Sequence, residues 1–362
     1  MDGPKRFPGV HWIWHGAISA VYEVHPQIVV KVPFPEERES FAKEIKIYET
    51  FSTHPPCPYI AQCFYYTDNG IFLEYMSRED PVFRLHLYST LASRIHHNQI
   101  RDESTGVVTK VEKPEPIALR KRWMNDLAQA VAFLESLNLA HGDLRPENVL
   151  LDRDKLKVTD FDRAAEIGTP IERCKTPYRR FMNGTEPGEA SDRSAGHLGP
   201  RTEQFDLGSL YYFINYGFEV YGDRCLDPEN PREHGPKTID LLQNMIFPEL
   251  DGDPLIDDII HKCWHNKYRK VADLAEYTEA LLVREPSAAK DTEAGSSEDV
   301  TWKKALCQDL ENRGLLDLTS RLNLASLLVG IDTARRPDGL SEVEVWFTFR
   351  FPKSLTALSL WL

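Results

Sequence analysis

The sequence predicts an α+β fold in which a small, sheet-rich lobe precedes a larger helical lobe. Short runs of β-branched and aromatic residues occupy the first 75 positions, whereas apolar residues recur at helical spacing from residue 82 to residue 283. The hydrophobic content of 41% over 362 residues is sufficient for a sizeable core, which excludes a mainly disordered chain.

Four strands are predicted in the first lobe. Residues 18–24 and 28–32 form a hairpin in this prediction, because the His-Pro-Gln sequence at 25–27 is typical of a turn. Residues 60–66 and 70–75 form a second pair, separated by a Thr-Asp-Asn-Gly turn.

Helices are predicted where apolar residues are spaced by three and four. Residues 36–51 place Phe41, Ile45 and Tyr48 on one face, so a helix interrupts the strands of the first lobe. The same spacing predicts helices over six later ranges: 82–96, 117–137, 205–216, 238–247, 254–265 and 271–283. Residues 98–116 are polar and bounded by proline, which is typical of an exposed insertion.

The C-terminal part of the chain has a different composition. Residues 285–300 are rich in Ala, Ser, Glu and Asp, which predicts a flexible linker. In the extension at 301–362, spacing predicts helices at 302–316 and 322–331 and a strand at 342–351. The extension is expected to pack on the helical lobe or to bind a protein partner.

Charge and cysteine content restrict the classes of partner and compartment. With 43 basic and 56 acidic residues the net charge is −13, so we expect no nucleic-acid binding. Residues 1–8 lack an apolar run of the signal-peptide type, and Arg350, Pro352 and Lys353 interrupt the apolar segment 343–362, so no membrane span is predicted. Six cysteines without C-x-x-C pairs predict an intracellular protein, cytoplasmic or nuclear.

The strongest motif is H-G-D-L-R-P-E-N-V-L-L at residues 141–151, followed by V-T-D-F-D at 158–162. This pair resembles the catalytic loop and the D-F-G metal motif of the eukaryotic protein kinase family, in the divergent H-G-D-L-R-P-E-N form common in fungi. The resemblance covers residues 9–284 and implies a two-lobed protein kinase-like fold, with an N-lobe at 9–76 and a C-lobe at 77–284.

The resemblance assigns roles to four polar residues of this motif. Asp143 is the expected catalytic base for a substrate hydroxyl, and Arg145 replaces the usual lysine near the transferred phosphate. Asn148 and Asp160 are the expected ligands of Mg²⁺ bound to ATP, since hard cations prefer oxygen ligands.

Residues of the first lobe resemble other functional residues of the kinase family, in the same order along the chain. Lys31 resembles the strand lysine that contacts the α- and β-phosphates, and Glu44 is its expected ion-pair partner. Residues 73–76 resemble the segment that joins the two lobes in this family, so the backbone groups of Glu74 and Met76 are expected to hydrogen-bond the adenine of ATP. Leu150 is also assigned to the nucleotide site.

The phosphate loop departs from the family pattern G-x-G-x-x-G-x-V. Gly16 and Val21 are retained and assigned to nucleotide binding, but Trp14 and Ser19 replace the outer glycines. Because glycine lets the backbone approach phosphates without a Cβ clash, we expect weakened or altered nucleotide binding.

Other departures concern regulation and substrate binding. Gly142 stands where many kinases have the arginine that pairs with a phosphorylated activation loop, and Asp162 replaces the D-F-G glycine. Asp206 is expected at a helix start, supporting the catalytic loop. The predicted activation segment 168–201 contains a basic run, interpreted either as an attractant for acidic substrates or as a solvated face: Arg173, Lys175, Arg179 and Arg180.

The resemblance implies an ATP-dependent protein kinase with a protein substrate, acting on serine or threonine. Tyrosine stays open as acceptor, because arginine at position 145 also occurs in tyrosine-type loops. Two alternatives remain. One is a catalytically impaired pseudokinase that binds nucleotide or acts as a scaffold. The other is a small-molecule phosphotransferase of the aminoglycoside or choline type, whose loop also has the H-G-D form.

Overall fold

The computed structural model of the protein describes residues 10–76, 90–171, 176–181, 196–283 and 297–316. Within these ranges a five-stranded antiparallel sheet with one helix on it is followed by a larger helical region, which confirms the predicted two-lobed α+β fold. None of the helices in the described part of the chain is long and apolar enough to cross a membrane.

The N-lobe sheet has the strand order β1-β2-β3-β5-β4. Its elements are β1 (His11–His15), β2 (Ser19–His25), β3 (Ile28–Pro33), α1 (Arg38–Ser52), β4 (Cys63–Thr67) and β5 (Gly70–Glu74). The hairpin predicted at 18–24 and 28–32 is confirmed. All six residues of β3 are buried, because α1 covers one face of this central strand and a C-terminal helix covers the other.

The strand predicted at 60–66 begins only at Cys63. The residues before it pair with the C-lobe instead: Val158 donates its N–H to the Tyr59 carbonyl at 2.8 Å, and Ala61 donates to the Val158 carbonyl at 2.9 Å. This backbone connection ties the N-lobe chain directly to the strand that leads into Asp160.

The C-lobe is built on six helices: α2 (Leu91–His96), α3 (Ile117–Ser136), α4 (Pro200–Tyr216), α5 (His234–Gln243), α6 (Pro254–Trp264) and α7 (Val271–Val283). Helix α3 packs along α7 and α4 packs along α6, with Trp123 and Trp264 fully buried in the core. Residues 82–89 of the helix predicted at 82–96 lie outside the described residues.

The segment predicted as an exposed insertion, 98–116, is a folded hairpin. Its strands are β6 (Gln99–Arg101) and β7 (Val108–Val111). Val108 is buried, and the Gln99 side-chain amide donates to the Gly217 carbonyl at 2.6 Å, at the end of α4. Apart from Val108 the residues of this segment are exposed or half-buried, so the exposed position is confirmed, whereas the polar composition did not predict the two strands.

Two short strand pairs frame the region of the motif. They are β8 (Leu139–Ala140) with β11 (Ala165–Glu166), and β9 (Val149–Asp152) with β10 (Lys155–Val158). The segment that carries Asp143 connects β8 to β9, and the segment that carries Asp160 connects β10 to β11, so each runs from one strand pair to the other.

The last described helix, α8 (Ser297–Asn312), packs on the N-lobe sheet. Its first turn falls inside the linker predicted at 285–300, and the predicted packing of the extension on the helical lobe is wrong for this helix. Cys307 and Leu310 are buried against strand side chains of the N-lobe. The other elements predicted for the extension lie outside the described residues, at 322–331 and 342–351.

Asp126 in α3 is a buried carboxyl group, 7% exposed, whose environment predicts a pH-dependent stability. Burial raises the pKa of Asp126 to about 7, although Arg122 and Asn125 act in the opposite direction. Since the folded protein then binds more protons than the unfolded chain between pH 4 and 7, this group makes the protein less stable as pH rises through that window. We expect Asp126→Asn to stabilise the protein by about 2 kcal/mol at pH 7.5 and negligibly at pH 4.5. Urea unfolding at both pH values checks this, and an equal effect at both would contradict it.

Candidate active site

Lys31, Glu44 and Asp160 meet between the two lobes. The Lys31 ammonium lies 2.7 Å from Glu44 Oε2 and 2.5 Å from Asp160 Oδ1. Lys31 projects from β3 on the side that faces α1, and Glu44 is buried on the inner face of that helix. The Phe161 N–H also donates to Glu44 Oε1 at 3.4 Å, so α1 is attached to the segment that follows β10.

The charges of this cluster depend on one another. Burial raises the pKa of Glu44 to about 7, against the attraction of Lys31. Burial also acts to raise the pKa of Asp160, but Lys31 outweighs it and the pKa lies below the ordinary value. Burial would lower the pKa of Lys31, yet the two carboxylates raise it. At neutral pH Lys31 is therefore cationic and Asp160 is anionic.

The catalytic-loop motif forms a second group of polar side chains. Asn148 Nδ2 donates to the Asp143 carbonyl at 2.9 Å and contacts Asp143 Oδ2 at 3.3 Å. Arg145 Nε forms an ion pair with the same carboxylate oxygen at 3.3 Å and lies 4.0 Å from Glu147. Asp143 is thus held in place by a neighbouring amide and a neighbouring cation.

The β9–β10 hairpin joins the two groups. Val149 and Val158 are paired, so Asn148 and Thr159 are neighbours at the open end of the hairpin. The Thr159 N–H donates to the Asn148 carbonyl at 3.0 Å, and His141 Nε2 lies 3.0 Å from the Thr159 carbonyl. A short local hairpin thereby brings the residue before Asp160 into contact with the catalytic loop.

Asn148 and Asp160 offer ligands that suit a magnesium ion held jointly with a nucleotide. The Asn148 amide nitrogen is engaged by Asp143, which leaves its amide oxygen as an acceptor, and the Asp160 side chain is 33% exposed. Asp160 also has a φ of 64°, a left-handed conformation that aspartate tolerates better than most residues. Within the described residues no three His, Cys, Asp or Glu side chains form a metal-holding group by themselves. Further oxygen ligands would come from phosphates and water, as is usual for Mg²⁺.

Asp162 lies beside this group, where the family pattern has glycine. Burial and the nearby Asp160 charge raise the pKa of the Asp162 carboxyl. Its carboxylate lies 4.0 Å from Arg163 Nε. The substitution therefore adds a third titratable acid close to Asp160 and Glu44.

The residues assigned to nucleotide binding line the N-lobe and the start of β9. Gly16 turns the chain between β1 and β2 and donates its N–H to the Ser19 carbonyl at 2.8 Å, and Val21 pairs with Lys31 in the sheet. Leu150 is half-buried in β9, opposite Lys157 in the hairpin.

Glu74 and Met76 lie at and just after the end of β5. The Glu74 N–H already donates to the Gln62 carbonyl at 2.8 Å, and the Glu74 carboxylate pairs with Lys157 at 2.5 Å. Any backbone contact of Glu74 with adenine would therefore come from its carbonyl, with Met76 supplying the donor.

Gly142 occupies a position that only glycine fits easily. Its φ is 78°, and a Cβ atom there would lie 2.3 Å from the Arg163 carbonyl oxygen. The glycine in place of the family arginine is therefore required by the close approach of the segment that follows β10.

This packing predicts a large effect for Gly142→Ala. We expect a loss of roughly 3 kcal/mol, compared with about 1 kcal/mol for Gly168→Ala, because both positions have positive φ but nothing lies within 4 Å of a Cβ atom at Gly168. Urea unfolding measures the difference, and equal losses would show that the contact with Arg163 is unimportant.

A buried ion network contacts the backbone of the loop at His141 and Gly142. Arg179 is 3% exposed; it donates to the Gly142 carbonyl at 2.5 Å and to Glu203 Oε1 at 3.1 Å, and it binds Asp206 through two nitrogens. Glu203 Oε2 accepts the His141 N–H at 2.8 Å. Burial raises the pKa of Asp206 well above its ordinary value, against the attraction of Arg179.

This network corrects the interpretation of the predicted basic run. Arg179 and Arg180 are buried, so neither belongs to a solvated face, and the Arg180 guanidinium lies 5.4 Å from the centre of the Phe205 ring. The other members of the predicted basic run, Arg173 and Lys175, lie outside the described residues.

Glu203, which sequence reasoning missed, contacts the catalytic-loop backbone directly, whereas Asp206 acts through Arg179 and lies in the second turn of α4. The signal that could have found Glu203 is its position three residues before Asp206, on the same face of one helix.

Comparisons with known proteins agree with this arrangement. Residues 16–184 match the protein kinase domain. The chain is 26% identical over 295 residues to CBL-interacting protein kinase 11 of Oryza sativa subsp. japonica, which covers 72% of this chain and 55% of that protein. It is 32% identical over 130 residues to serine/threonine-protein kinase PKH3 of Saccharomyces cerevisiae, covering 34% and 14%.

A third relative is serine/threonine-protein kinase D3 of Mus musculus, with 22% identity over 275 residues, 70% of this chain and 27% of that kinase. The chain spans about half or less of the length of these three relatives. The domain match over residues 16–184, these relatives and the two-lobed fold support a eukaryotic protein kinase-like family for this chain.

Proposed function

We propose that this chain is an ATP-dependent protein kinase that transfers the γ-phosphoryl group of ATP to a serine or threonine hydroxyl of a protein substrate. The observation that carries the proposal is the convergence of Lys31, Glu44 and Asp160, with contacts of 2.7 and 2.5 Å. A buried ion cluster contributes little to stability compared with apolar packing, so its presence favours a functional role.

Three residues would act on the reacting groups, and Glu44 would orient one of them. Lys31, oriented by Glu44, would bind the α- and β-phosphates, and Asp143 would accept the proton of the substrate hydroxyl on its carboxylate. Arg145, already paired with Asp143, would contribute positive charge close to the transferred phosphate. Catalysis of this type rests on positioning and charge, without a covalent enzyme intermediate.

Asn148 and Asp160 would hold the metal, and Gly16, Val21 and Leu150 would surround the nucleotide. Mg²⁺ bound there would neutralise charge on the β- and γ-phosphates. The backbone at Glu74 and Met76 would hydrogen-bond adenine. Both assignments rest on the family resemblance.

A pseudokinase is the second candidate, and the phosphate loop favours it. Trp14 takes the place of a loop glycine and is 64% exposed, and Ser19 replaces another. Both side chains add bulk where backbone N–H groups would approach phosphates. Nucleotide binding without transfer is the expected behaviour of such a protein.

Transfer of radiolabel from ATP to generic protein substrates tests the proposal. We expect transfer by the wild type and a reduction of about 10²–10⁴-fold in Asp143→Asn, because a general base contributes that much. The matched control is Asp240→Asn, an exposed aspartate in α5, which should transfer at the wild-type rate.

The other outcomes separate the alternatives. Equal labelling by Asp143→Asn and wild type would remove Asp143 as the base. A thermal shift with MgATP but no transfer would favour the pseudokinase, and neither shift nor transfer would favour a scaffold. Labelling of aminoglycosides or choline in place of proteins would favour the small-molecule phosphotransferase.

A further inference from the structure

The two faces of β3 contact different parts of the protein. Val29 and Lys31 face α1, where Lys31 meets Glu44. Ile28 and Val30, on the opposite face, are fully buried in a separate apolar cluster with α8. The strand that carries the candidate phosphate-binding lysine is therefore packed between a helix of the N-lobe and a helix from the C-terminal extension.

The C-terminal segment, residues 297–316, adds apolar side chains to this cluster. Four buried side chains of residues 297–316 take part: Cys307, Leu310, Leu315 and Leu316. They share this cluster with side chains from four strands of the sheet: Ala20, Tyr22, Val30, Phe64 and Phe72. Without this segment the outer face of the sheet would expose large apolar residues to water.

One hydrogen bond and two contacts with aromatic rings fix the position of α8 on the sheet. The Tyr65 hydroxyl donates to Glu311 Oε2 at 2.6 Å. At the other end of the helix, the Trp302 ring packs against His25 at 5.4 Å between centroids, at the turn between β2 and β3. The buried Lys303 ammonium lies 5.1 Å from the centre of the Phe64 ring. Contacts at both ends indicate one defined orientation.

Gly70 shows how closely the end of the segment approaches the sheet. A Cβ atom at Gly70 would lie 2.8 Å from Leu316 Cδ2 and 3.2 Å from Val30 Cγ2. Leu316 thus fills space that the absence of a side chain at Gly70 provides, directly over β3.

We propose that residues 297–316 position the nucleotide site: by covering the outer face of β3 and β5 they hold β3 so that Lys31 reaches Glu44 and Asp160. This inference rests on the proposed function, in which Lys31 binds the ATP phosphates. Leu316 and Leu310 are positioning residues in it, because they contact the strand and not the nucleotide.

The test is a pair of substitutions in the full chain that remove the same side chain from different cores. Leu316→Ala loosens the packing over β3, whereas Leu281→Ala removes a leucine of equal burial from α7 in the C-lobe. Both should lower the unfolding temperature. Only Leu316→Ala should weaken MgATP binding, by about fivefold if the competent fraction falls to roughly one fifth. Calorimetric titration well below the unfolding temperature measures both affinities.

Amide hydrogen exchange gives a second measurement that needs no nucleotide. We expect faster exchange at the β3 amides in Leu316→Ala and unchanged exchange there in Leu281→Ala. Tyr65→Phe, which loses only the hydrogen bond to Glu311, serves as a milder variant if Leu316→Ala does not fold.

The outcomes separate this inference from the proposed function. If wild type binds MgATP and both leucine variants bind it equally well, the inference is overturned and the proposed function stands. If wild type does not bind MgATP, both fall.

Discussion

Lys31→Met will reduce phosphoryl transfer by about 10²–10³-fold, because the variant lacks the ammonium that would stabilise charge on the phosphates. In the structure this ammonium bridges Glu44 and Asp160, so its loss also leaves two carboxyl groups near each other in a buried site. Initial rates of radiolabel transfer, with MgATP affinity from calorimetry, measure the effect.

Lys43→Met is the matched control for this prediction. Lys43 precedes Glu44 in α1 but is exposed, so its loss should leave transfer unchanged. A second readout is stability against pH. Burial already raises the pKa of Glu44 to about 7, and loss of Lys31 raises it further. The stability of Lys31→Met should therefore fall more steeply than that of wild type as pH rises from 5 to 8. Retained transfer in Lys31→Met would remove this lysine from the mechanism.

Arg179→Met will destabilise the protein by about 3–5 kcal/mol, because it leaves Glu203 and Asp206 buried without their cation. The guanidinium satisfies both carboxylates and the Gly142 carbonyl at once, so the catalytic loop also loses a hydrogen bond. The free energy of unfolding in urea measures the loss. The control is Arg232→Met, an exposed arginine, for which we expect no measurable change.

The destabilisation caused by Arg179→Met should depend on pH. The pKa of Asp206 is raised by burial even with Arg179 present, and removing the cation raises it further. A carboxyl group whose pKa is higher in the folded state than in the unfolded state makes the protein less stable as pH increases. The loss in free energy of unfolding caused by Arg179→Met should therefore be smaller at pH 5 than at pH 8. Adding Asp206→Asn should recover part of the deficit, since a neutral amide costs less to bury. A pH-independent deficit that Asp206→Asn does not reduce would contradict the charge explanation.

Local patterns predicted most of the elements that carry the site. The spacing of Phe41, Ile45 and Tyr48 correctly predicted α1, because the face that packs on the sheet repeats every three or four residues. The hairpin of β2 and β3 was likewise predicted from its composition and turn. The motif at 141–151 identified Asp143 and Asn148 as neighbours, and their hydrogen bonds show how the loop joins them.

Long-range contacts were beyond such patterns. Glu203 lies 62 residues from the His141 N–H that it accepts, and apart from its spacing of three residues from Asp206 its local sequence resembles that of a surface glutamate. Arg179 and Arg180 were interpreted from their basic neighbours, yet both are buried against α4 residues. The position of α8 was missed for the same reason, because an amphipathic helix does not specify the surface that it covers.

Although β1 and β6 to β11 were not predicted, sequence patterns did predict β2 to β5 with α1, the helical second lobe and the polar residues of the motif. These follow from periodicity and from residue types at short spacing, which are properties of the chain alone. The tertiary structure was needed to show that Asp160 joins the expected pair of Lys31 and Glu44, that Arg179 contacts the loop at Gly142, and that α8 covers the N-lobe sheet. Which side chains are buried, and which residues they contact, depends on residues far apart in the chain. Local composition therefore does not predict these contacts.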